Sequence, residues 1–448
     1  MTAIAGIAAP NRKADLNAML HQLSYRGNAA FIAPTQNVTM GIVLPDNSPA
    51  GEPESDLLTV SAGRGHFAKA RSDSGGLNLS RDTLGVCGLY YGRDAKGVLY
   101  FASEVKALLP FTESVKELPP GTQFSAGKIT STLSTFSDLL LDLPPAEIAA
   151  ELLRRLDSAV EVRAKTNPDY GALLSGGLDS TIVTALAGKY TGRLHTYAAG
   201  LQGAPDLLYA QKAARHLGCL HHERTVTLDE MLSMLPDVIY HLESFDALLV
   251  RSSILLFAAA QMASGTVSAL FSGEGADELF AGYDYLKRVP AQHLEFELIN
   301  LTNRLHNTAL QRVDRCIQAH GITGWVPLLD PQVVEYAKRI PVELKLHQGV
   351  EKWILRQASA SLLPPEIARR PKAKFWQGGG VGSLLSGYAD NAITSADFAA
   401  ERRLPNGWLL NTREELLYYR IFKEHFGEMN DLDWVGRTKG SPVQYPPV

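Results

Sequence analysis

Cysteine is scarce. The chain has three in 448 residues, Cys87, Cys219 and Cys316, far apart and without metal-ligand spacing, which excludes a disulfide framework or a cysteine zinc site and fits a reducing compartment. Positive charge is not in excess either: 43 Lys and Arg against 47 Asp and Glu give a net charge of −4, an argument against a nucleic-acid-binding surface. No apolar run approaches the ~18 residues of a membrane span, and no basic-then-apolar leader opens the chain. A soluble cytoplasmic protein that binds neither nucleic acid nor membrane is therefore expected. Internal repeats and low-complexity segments are lacking too. What is present, 45% hydrophobic and 20% charged residues, is globular material for two or three domains.

Two textures divide it. Up to about residue 130, strand candidates at Ala3–Ala8, Val38–Leu44, Gly85–Tyr91 and Val98–Ala102 lie between Gly, Pro, Asn and Asp clusters. This half also has a helical segment at Ala14–Leu23 and a loop at Pro45–Asp56. A Thr/Ser-rich strand within Ser125–Leu143 runs into a linker at Pro144-Pro145. Beyond it, Glu147–Val162 has the spacing of an amphipathic helix, and strands at Gly171–Leu174, Leu194–Ala199, His221–Val226 and Ala269–Ser272 alternate with helices. That alternation predicts a parallel sheet covered on both faces. From about Gln292 to Phe426 the pattern is mostly helical.

The chemistry concentrates between Tyr170 and Val183. Ala172 to Leu174 is a buried strand and Thr181 to Leu186 returns to helical spacing, so Ser175-Gly176-Gly177-Leu178-Asp179-Ser180 is a strand-to-helix turn. Glycines let backbone N–H groups approach a ligand, the helix start adds free donors and the positive end of its dipole, and two serines add hydroxyls; such a turn is an anion site. It lacks the lysine of a Walker A loop and the third glycine of a dinucleotide fingerprint. A second strand end is followed by Ser272-Gly273-Glu274-Gly275-Ala276-Asp277-Glu278, and on an open α/β sheet both loops sit at the same carboxyl edge. Carboxylates beside a polyphosphate need a cation among them. Asp179 and Asp277 are the expected Mg²⁺ ligands, Glu274 the base or orienting group for an amine nucleophile, and Glu278 a cap for the next helix.

The hexapeptide from Ser175 to Ser180 resembles the pyrophosphatase-type loop (PP-loop) of enzymes that cleave ATP between its α and β phosphates. With it stand Thr196 to Leu201, Ala204-Pro205-Asp206, His221-His222-Glu223, His241 to Asp246, Arg251, Ser272 to Tyr283, Leu310 to Arg315, Gly349 to Arg356, and Arg370-Pro371-Lys372-Ala373-Lys374-Phe375. In this order they are similar to the asparagine synthetase family over most of residues 85 to 440. The resemblance implies an ATP- and Mg²⁺-dependent ligase that adenylates a carboxylate, releases pyrophosphate and passes the acyl group to an amine or ammonia. It implies that Leu174, Ser175 and Ala199 contact adenosine, and that Ser272 and Gly273 complete a nucleotide pocket begun by Gly176, Gly177, Asp179 and Ser180. It also implies Lys372 on the phosphates beside Arg369 and Arg370, and Arg251 and Asp314 at the substrate's α-amino acid part or, equally, in structural ion pairs. Relatives that close β-lactam rings tend to carry Tyr in place of Glu274, so Glu274 favours attack by ammonia.

The pattern breaks in two places. The family opens with an N-terminal cysteine that attacks glutamine, whereas Thr2 stands there here; Tyr25-Arg26-Gly27-Asn28 replaces His-Arg-Gly-Pro-Asp, and Leu44 to about Asn78 is much shorter than the family's stretch. An N-terminal threonine is a nucleophile in some enzymes, but a site without thiol, oxyanion donors or carboxylate clamp is not expected to hydrolyse glutamine. Gly321-Ile322-Thr323-Gly324-Trp325-Val326-Pro327 lacks the Glu and Arg that the family usually shows there, which leaves the acid open, with Trp325 as core filler or pocket wall. The expected fold is a truncated Ntn-hydrolase-like β-rich domain at residues 1–143, kept as a scaffold. A doubly wound parallel-sheet PP-loop domain with a helical C-terminal half follows at 144–448. Ammonia would come from solution or a separate glutaminase, and the family suggests a homodimer. A ligase joining another acid to a larger amine, and a non-catalytic nucleotide-binding subunit, are the alternatives.

Overall fold

The computed structural model describes residues 2–438 apart from 28, 35–36, 45–55, 113, 133–138 and 371–377, and only the backbone of 29–34. The strands of the first half are β1 (Ala3–Ile7), β2 (Ala29–Pro34), β3 (Thr39–Leu44), β4 (Leu57–Ser61), β5 (Phe67–Asp73), β6 (Gly76–Arg81), β7 (Tyr90–Arg93), β8 (Leu99–Ala102), β9 (Val115–Glu117), β10 (Thr122–Ser125) and β11 (Lys128–Ser131). They form two antiparallel sheets, ordered β2-β3-β1-β8-β7-β9 and β11-β10-β6-β5-β4, with helix α1 (Lys13–Gln22) against β1 and β3. Strand candidates at both ends of this half hold, but β4 to β6 were not foreseen. Along β5 the inward positions are Ala68 and Ala70, set between Lys69 and Arg71, so alternation exists with little hydrophobic contrast. The strand expected from Gly85 starts at Tyr90 instead. Upstream of it the Asp82 carboxylate accepts from the backbone N–H of Leu84, Val86 and Cys87 at 3.0–3.2 Å and holds a turn. All of the Pro45–Asp56 loop except Asp56 lies outside the described residues.

Helix α2 starts at Pro145, inside the expected linker, and runs to Thr166; proline suits a first turn because its missing N–H has no partner there anyway. Then come β12 (Tyr170–Leu173), α3 (Leu178–Ala187), β13 (His195–Gly200), α4 (Pro205–Leu217), β14 (Leu220–Thr225), α5 (Leu228–Leu242), α6 (Ala247–Ala263), β15 (Ala269–Phe271), α7 (Ala276–Leu279), α8 (Ala291–Asn303), α9 (Ala309–Gln318) and β16 (Thr323–Trp325), followed by mostly helical chain. The five strands lie parallel in the order β14-β13-β12-β15-β16. The chain steps outward from β12 to β14, then returns to the other side of β12 with β15. This is the doubly wound arrangement, and ligands gather where its order reverses. Trp325 packs edge-on to Phe271 with ring centres 4.9 Å apart and is buried, so it is core rather than pocket wall. Among the described residues no single helix is long and apolar enough to cross a membrane.

Two buried charge clusters fasten the halves together. Arg26 donates to both Asp314 carboxylate oxygens on α9, at 3.2 and 2.7 Å, and also bonds Glu104. Arg315 reaches Glu104 at 2.7 Å and Glu243 at 3.3 Å, and the backbone N–H of Lys106 donates to Glu243 at 2.7 Å. In the second cluster Arg64 and Arg163 share Asp330, at 2.8 and 2.9 Å. Beside the first cluster His241 stands edge-on to Tyr25 at 4.4 Å, with a buried Nδ1 that has no hydrogen-bond partner. Burial, then Lys106, Arg26 and His320, push its pKa down to about 3. The unfolded chain therefore takes up a proton near pH 6.5 that the folded chain refuses, so this contribution is complete above that pH and is lost as pH falls toward 3. His241→Phe, which removes the titrating group, is expected to flatten the decline by on the order of 2 kcal/mol between about pH 6.5 and pH 4, read by urea unfolding across that range.

Candidate active site

The order reversal between β12 and β15 brings the two glycine-containing loops together. After β12 the chain turns through Gly176, whose φ of +66° is left-handed, and a Cβ there would lie 2.2 Å from the carbonyl carbon of Tyr209 and 2.4 Å from the nitrogen of Ala210. Backbone cannot yield as a side chain does, so only glycine fits. After β15 a Cβ on Gly273 would lie 2.7 Å from the Ser180 nitrogen; glycine thus lets the second loop rest against the first. Within the first loop the hydroxyls of Ser175 and Ser180 are 3.1 Å apart, and Ser180 also accepts from the Ser175 N–H at 3.3 Å. Both hydroxyls are positioned before any ligand arrives.

One cavity is lined by Leu174, Ser175, Gly177, Asp179, Ser180, Ala199, Ser272, Gly273, Glu274 and Asp277. These are ten of the residues singled out from the sequence. Gly176 is not among the lining residues; it is the point where the loop packs on α4. Four cations complete the wall: Arg312, Lys352, Arg356 and Arg370. The Lys352 ammonium lies 2.5 Å from Asp179 and 2.7 Å from Asp277. Arg312 pairs with Glu274, and its buried Nε has no hydrogen-bond partner. Arg370 pairs with Asp206 and lies 4.0 Å over the Tyr209 ring, donating to the Ser175 carbonyl at 3.3 Å. Arg356 bonds Glu351 at 2.7 Å.

Three expectations change. Arg251 lies away from the cavity, paired with Glu414 at 2.6 Å through its Nε. Asp314 is likewise absent from the lining and is occupied by Arg26, so both are ion-pair members in this structure. Glu278 does not cap: the residue before α7 is Gly275 with φ 98°, and the buried Glu278 carboxyl accepts the Tyr283 hydroxyl at 2.5 Å. Burial, then the charge of Asp277, push the Glu278 pKa up to about 7. Lys372 lies outside the described residues. Lys352 and Arg312 were missed although both fall in stretches singled out for family likeness; a basic residue one or two positions from an acid looks like an ordinary ion pair until the fold brings in distant carboxylates.

Two glycine-containing loops that meet at the switch point of a parallel sheet, with acids and bases converging on one cavity, define an α/β domain of the nucleotide-loop class. The model for the asparagine synthase family matches residues 151–301 and 290–440, and that for a glutamine amidotransferase domain matches 55–110. Asparagine synthetase B of Escherichia coli is 33% identical over 394 residues, 80% of this chain and 69% of its own. A probable asparagine synthetase of Schizosaccharomyces pombe is 34% identical over 63% of this chain and 57% of its own. The solved NMN synthetase of Francisella tularensis aligns with 64% of this chain and 98% of its own at 13% identity and a TM-score of 0.31, a likeness too distant to inform the site. The chain belongs to the asparagine synthase family of ATP-dependent ligases, and it spans between about half and two thirds of the length of most of the relatives it matches.

Gly176→Ala is expected to weaken MgATP binding by at least about tenfold and to cost ~2 kcal/mol of stability, because the loop must move off α4. Gly177→Ala is the control, since its Cβ meets only the Ser175 hydroxyl at 3.4 Å. Calorimetric titration with nucleotide and thermal unfolding of both variants check this.

Proposed function

We propose that the protein is a carbon–nitrogen ligase that activates a carboxylate, aspartate or a related acid, as its adenylate and transfers the acyl group to ammonia without a glutaminase activity of its own. In this reading residues 1–143 are a reduced glutaminase-like domain and 144–448 the adenylating domain. The observation that carries the proposal is the meeting of the Ser175–Ser180 and Ser272–Asp277 loops in one cavity, with Asp179, Asp277 and Glu274 on its wall. A substrate carboxylate oxygen attacks the α-phosphorus of ATP, the bond to the β-phosphate oxygen breaks and pyrophosphate leaves; ammonia then attacks the acyl carbon and AMP departs with the bonding electrons. Loop N–H groups, the serine hydroxyls and the nearby cations bind the phosphates, and Lys372 is assigned to them as well. Positioned donors of this kind contribute on the order of 10²-fold each. Glu274, on the cavity wall, takes the proton that the attacking amine sheds, once Arg312 releases it. Asp179 and Asp277 face one point from two loops and would hold a Mg²⁺ ion, which would supply positive charge against the leaving pyrophosphate.

Two features support the loss of glutamine chemistry. Tyr25 and Arg26, which replace the family's His-Arg, both bond Glu104, and Arg26 also holds Asp314. The Thr2 hydroxyl is buried without a hydrogen-bond partner.

Pyrophosphate release from MgATP tests the proposal, measured with aspartate and a panel of other carboxylic acids, each with ammonium, glutamine or a larger amine. Release with an acid and ammonium but not glutamine, falling at least ~10²-fold in Asp179→Asn, is the expected result. Dependence on a larger amine would replace ammonia as the nucleophile. Silence with every acid, alongside retained ATP binding, would overturn catalysis in favour of a nucleotide-binding subunit.

A further inference from the structure

Lys352 is built into its position by three separate features. It stands between the short strand Val350–Glu351 and the helix Trp353–Ser359 in the left-handed conformation, φ 54° and ψ 31°, which is uncommon for a residue with a Cβ. Its backbone N–H donates to the Phe280 carbonyl at 3.1 Å, tying it to the chain that follows the second loop. Room for its stem exists because residue 282 is glycine: a Cβ there would lie 2.1 Å from the Lys352 Cε and 2.0 Å from an Asp277 carboxylate oxygen. The side chain is only 1% exposed, yet it forms part of the cavity wall, and its ammonium is within 2.7 Å of carboxylates from both loops. Ordering a whole lysine side chain costs rotamer entropy, and a surface ion pair would not recover that.

We propose that Lys352 is the resident counter-ion of this site: before nucleotide binds, its ammonium occupies the point between Asp179 and Asp277. When a divalent cation arrives with a polyphosphate, the ammonium cedes that point and turns to the phosphate oxygens. The proposal rests on the nucleotide-binding part of the function above. Without the lysine, two carboxylates facing one point repel each other; without the exchange, a bound ammonium would keep the metal out. The arrangement holds the two loops together in the empty enzyme and leaves a mobile positive charge beside the leaving group afterwards.

Two titrations of the full-length protein test it without relying on turnover. With Mn²⁺ alone, followed by electron paramagnetic resonance, the wild type is expected to bind weakly, and Lys352→Gln at least about tenfold more tightly because the two acids lose their competitor. With pyrophosphate in EDTA, followed by calorimetry, Asp277→Asn is expected to bind about tenfold more tightly than the wild type because the ammonium is released from one acid. Both gains should vanish in Asp277→Asn/Lys352→Gln. No gain in either titration, or a pyrophosphate gain that survives in the double variant, would make Lys352 a structural ion-pair member. Should Lys352→Gln not fold, Lys352→Met takes its place in both titrations and in the double variant. Failure of the ligase proposal looks different: no pyrophosphate release from the wild type with any acid, whatever these titrations give.

Discussion

Negative charge must be gathered at one point, and most of the site follows from how that is made tolerable. Asp179 comes from the loop after β12 and Asp277 from the loop after β15, and both reach the same ammonium. Two carboxylates at that separation would repel by several kcal/mol in a partly buried setting. The cation between them turns the repulsion into a link between strands that are neighbours in the sheet but about a hundred residues apart in the chain. The same balance is repeated around the cavity, where Glu274 meets Arg312 and Asp206 meets Arg370. The cavity is thus lined by charges of both signs that already have partners, and an anionic ligand has cations to recruit only by displacing their acids.

Backbone proximity sets the second constraint. The loops can carry converging side chains because their main chains nearly touch, with Gly273 against Ser180 and Gly176 against Tyr209 and Ala210. A methyl group at either position would push apart elements whose spacing decides whether Asp179 and Asp277 see the same ion. Tolerance here is a few tenths of an ångström, while Leu174 and Ala199, also on the cavity wall, are apolar and less demanding.

What the sequence carried of this was the local part. Strand-loop-helix texture, paired glycines and acids after two apolar runs are features of contiguous residues, so the parallel sheet, both loops and ten cavity-lining residues were legible before the fold was known. Lys352 was not, because nothing beside it distinguishes it from any surface lysine; its role depends on acids about 75 and 173 positions away in the chain. Arg251 and Asp314 could not be decided between substrate and ion pair for the converse reason. Their segments match the family, but side-chain direction on a helix is not in the motif, and here it takes them to Glu414 and Arg26. Strand β5 was hidden by small inward residues such as Ala68 and Ala70, which give its alternation little hydrophobic contrast.

Helix α9 shows why the first half would be retained even with no glutamine chemistry left in it. At Arg312 the helix supplies the partner of Glu274 in the cavity; less than a turn later Asp314 and Arg315 enter the other half, where Arg26 and Glu104 meet them. Arg26, Glu104, Arg312, Asp314 and Arg315 are all buried. Removing the first half would take Arg26 from Asp314 and Glu104 from Arg315, leaving them only each other and Glu243, and breaking a buried ion pair costs roughly 3–5 kcal/mol. That is a large part of the ~5–15 kcal/mol by which a folded domain is stable at all. Exposure to water would soften the loss, but the face of α9 that meets Arg26 and Glu104 would then lie open. The first half could therefore stay indispensable to the second even without a reaction of its own, through a helix whose neighbouring residues face both the cavity and the first half.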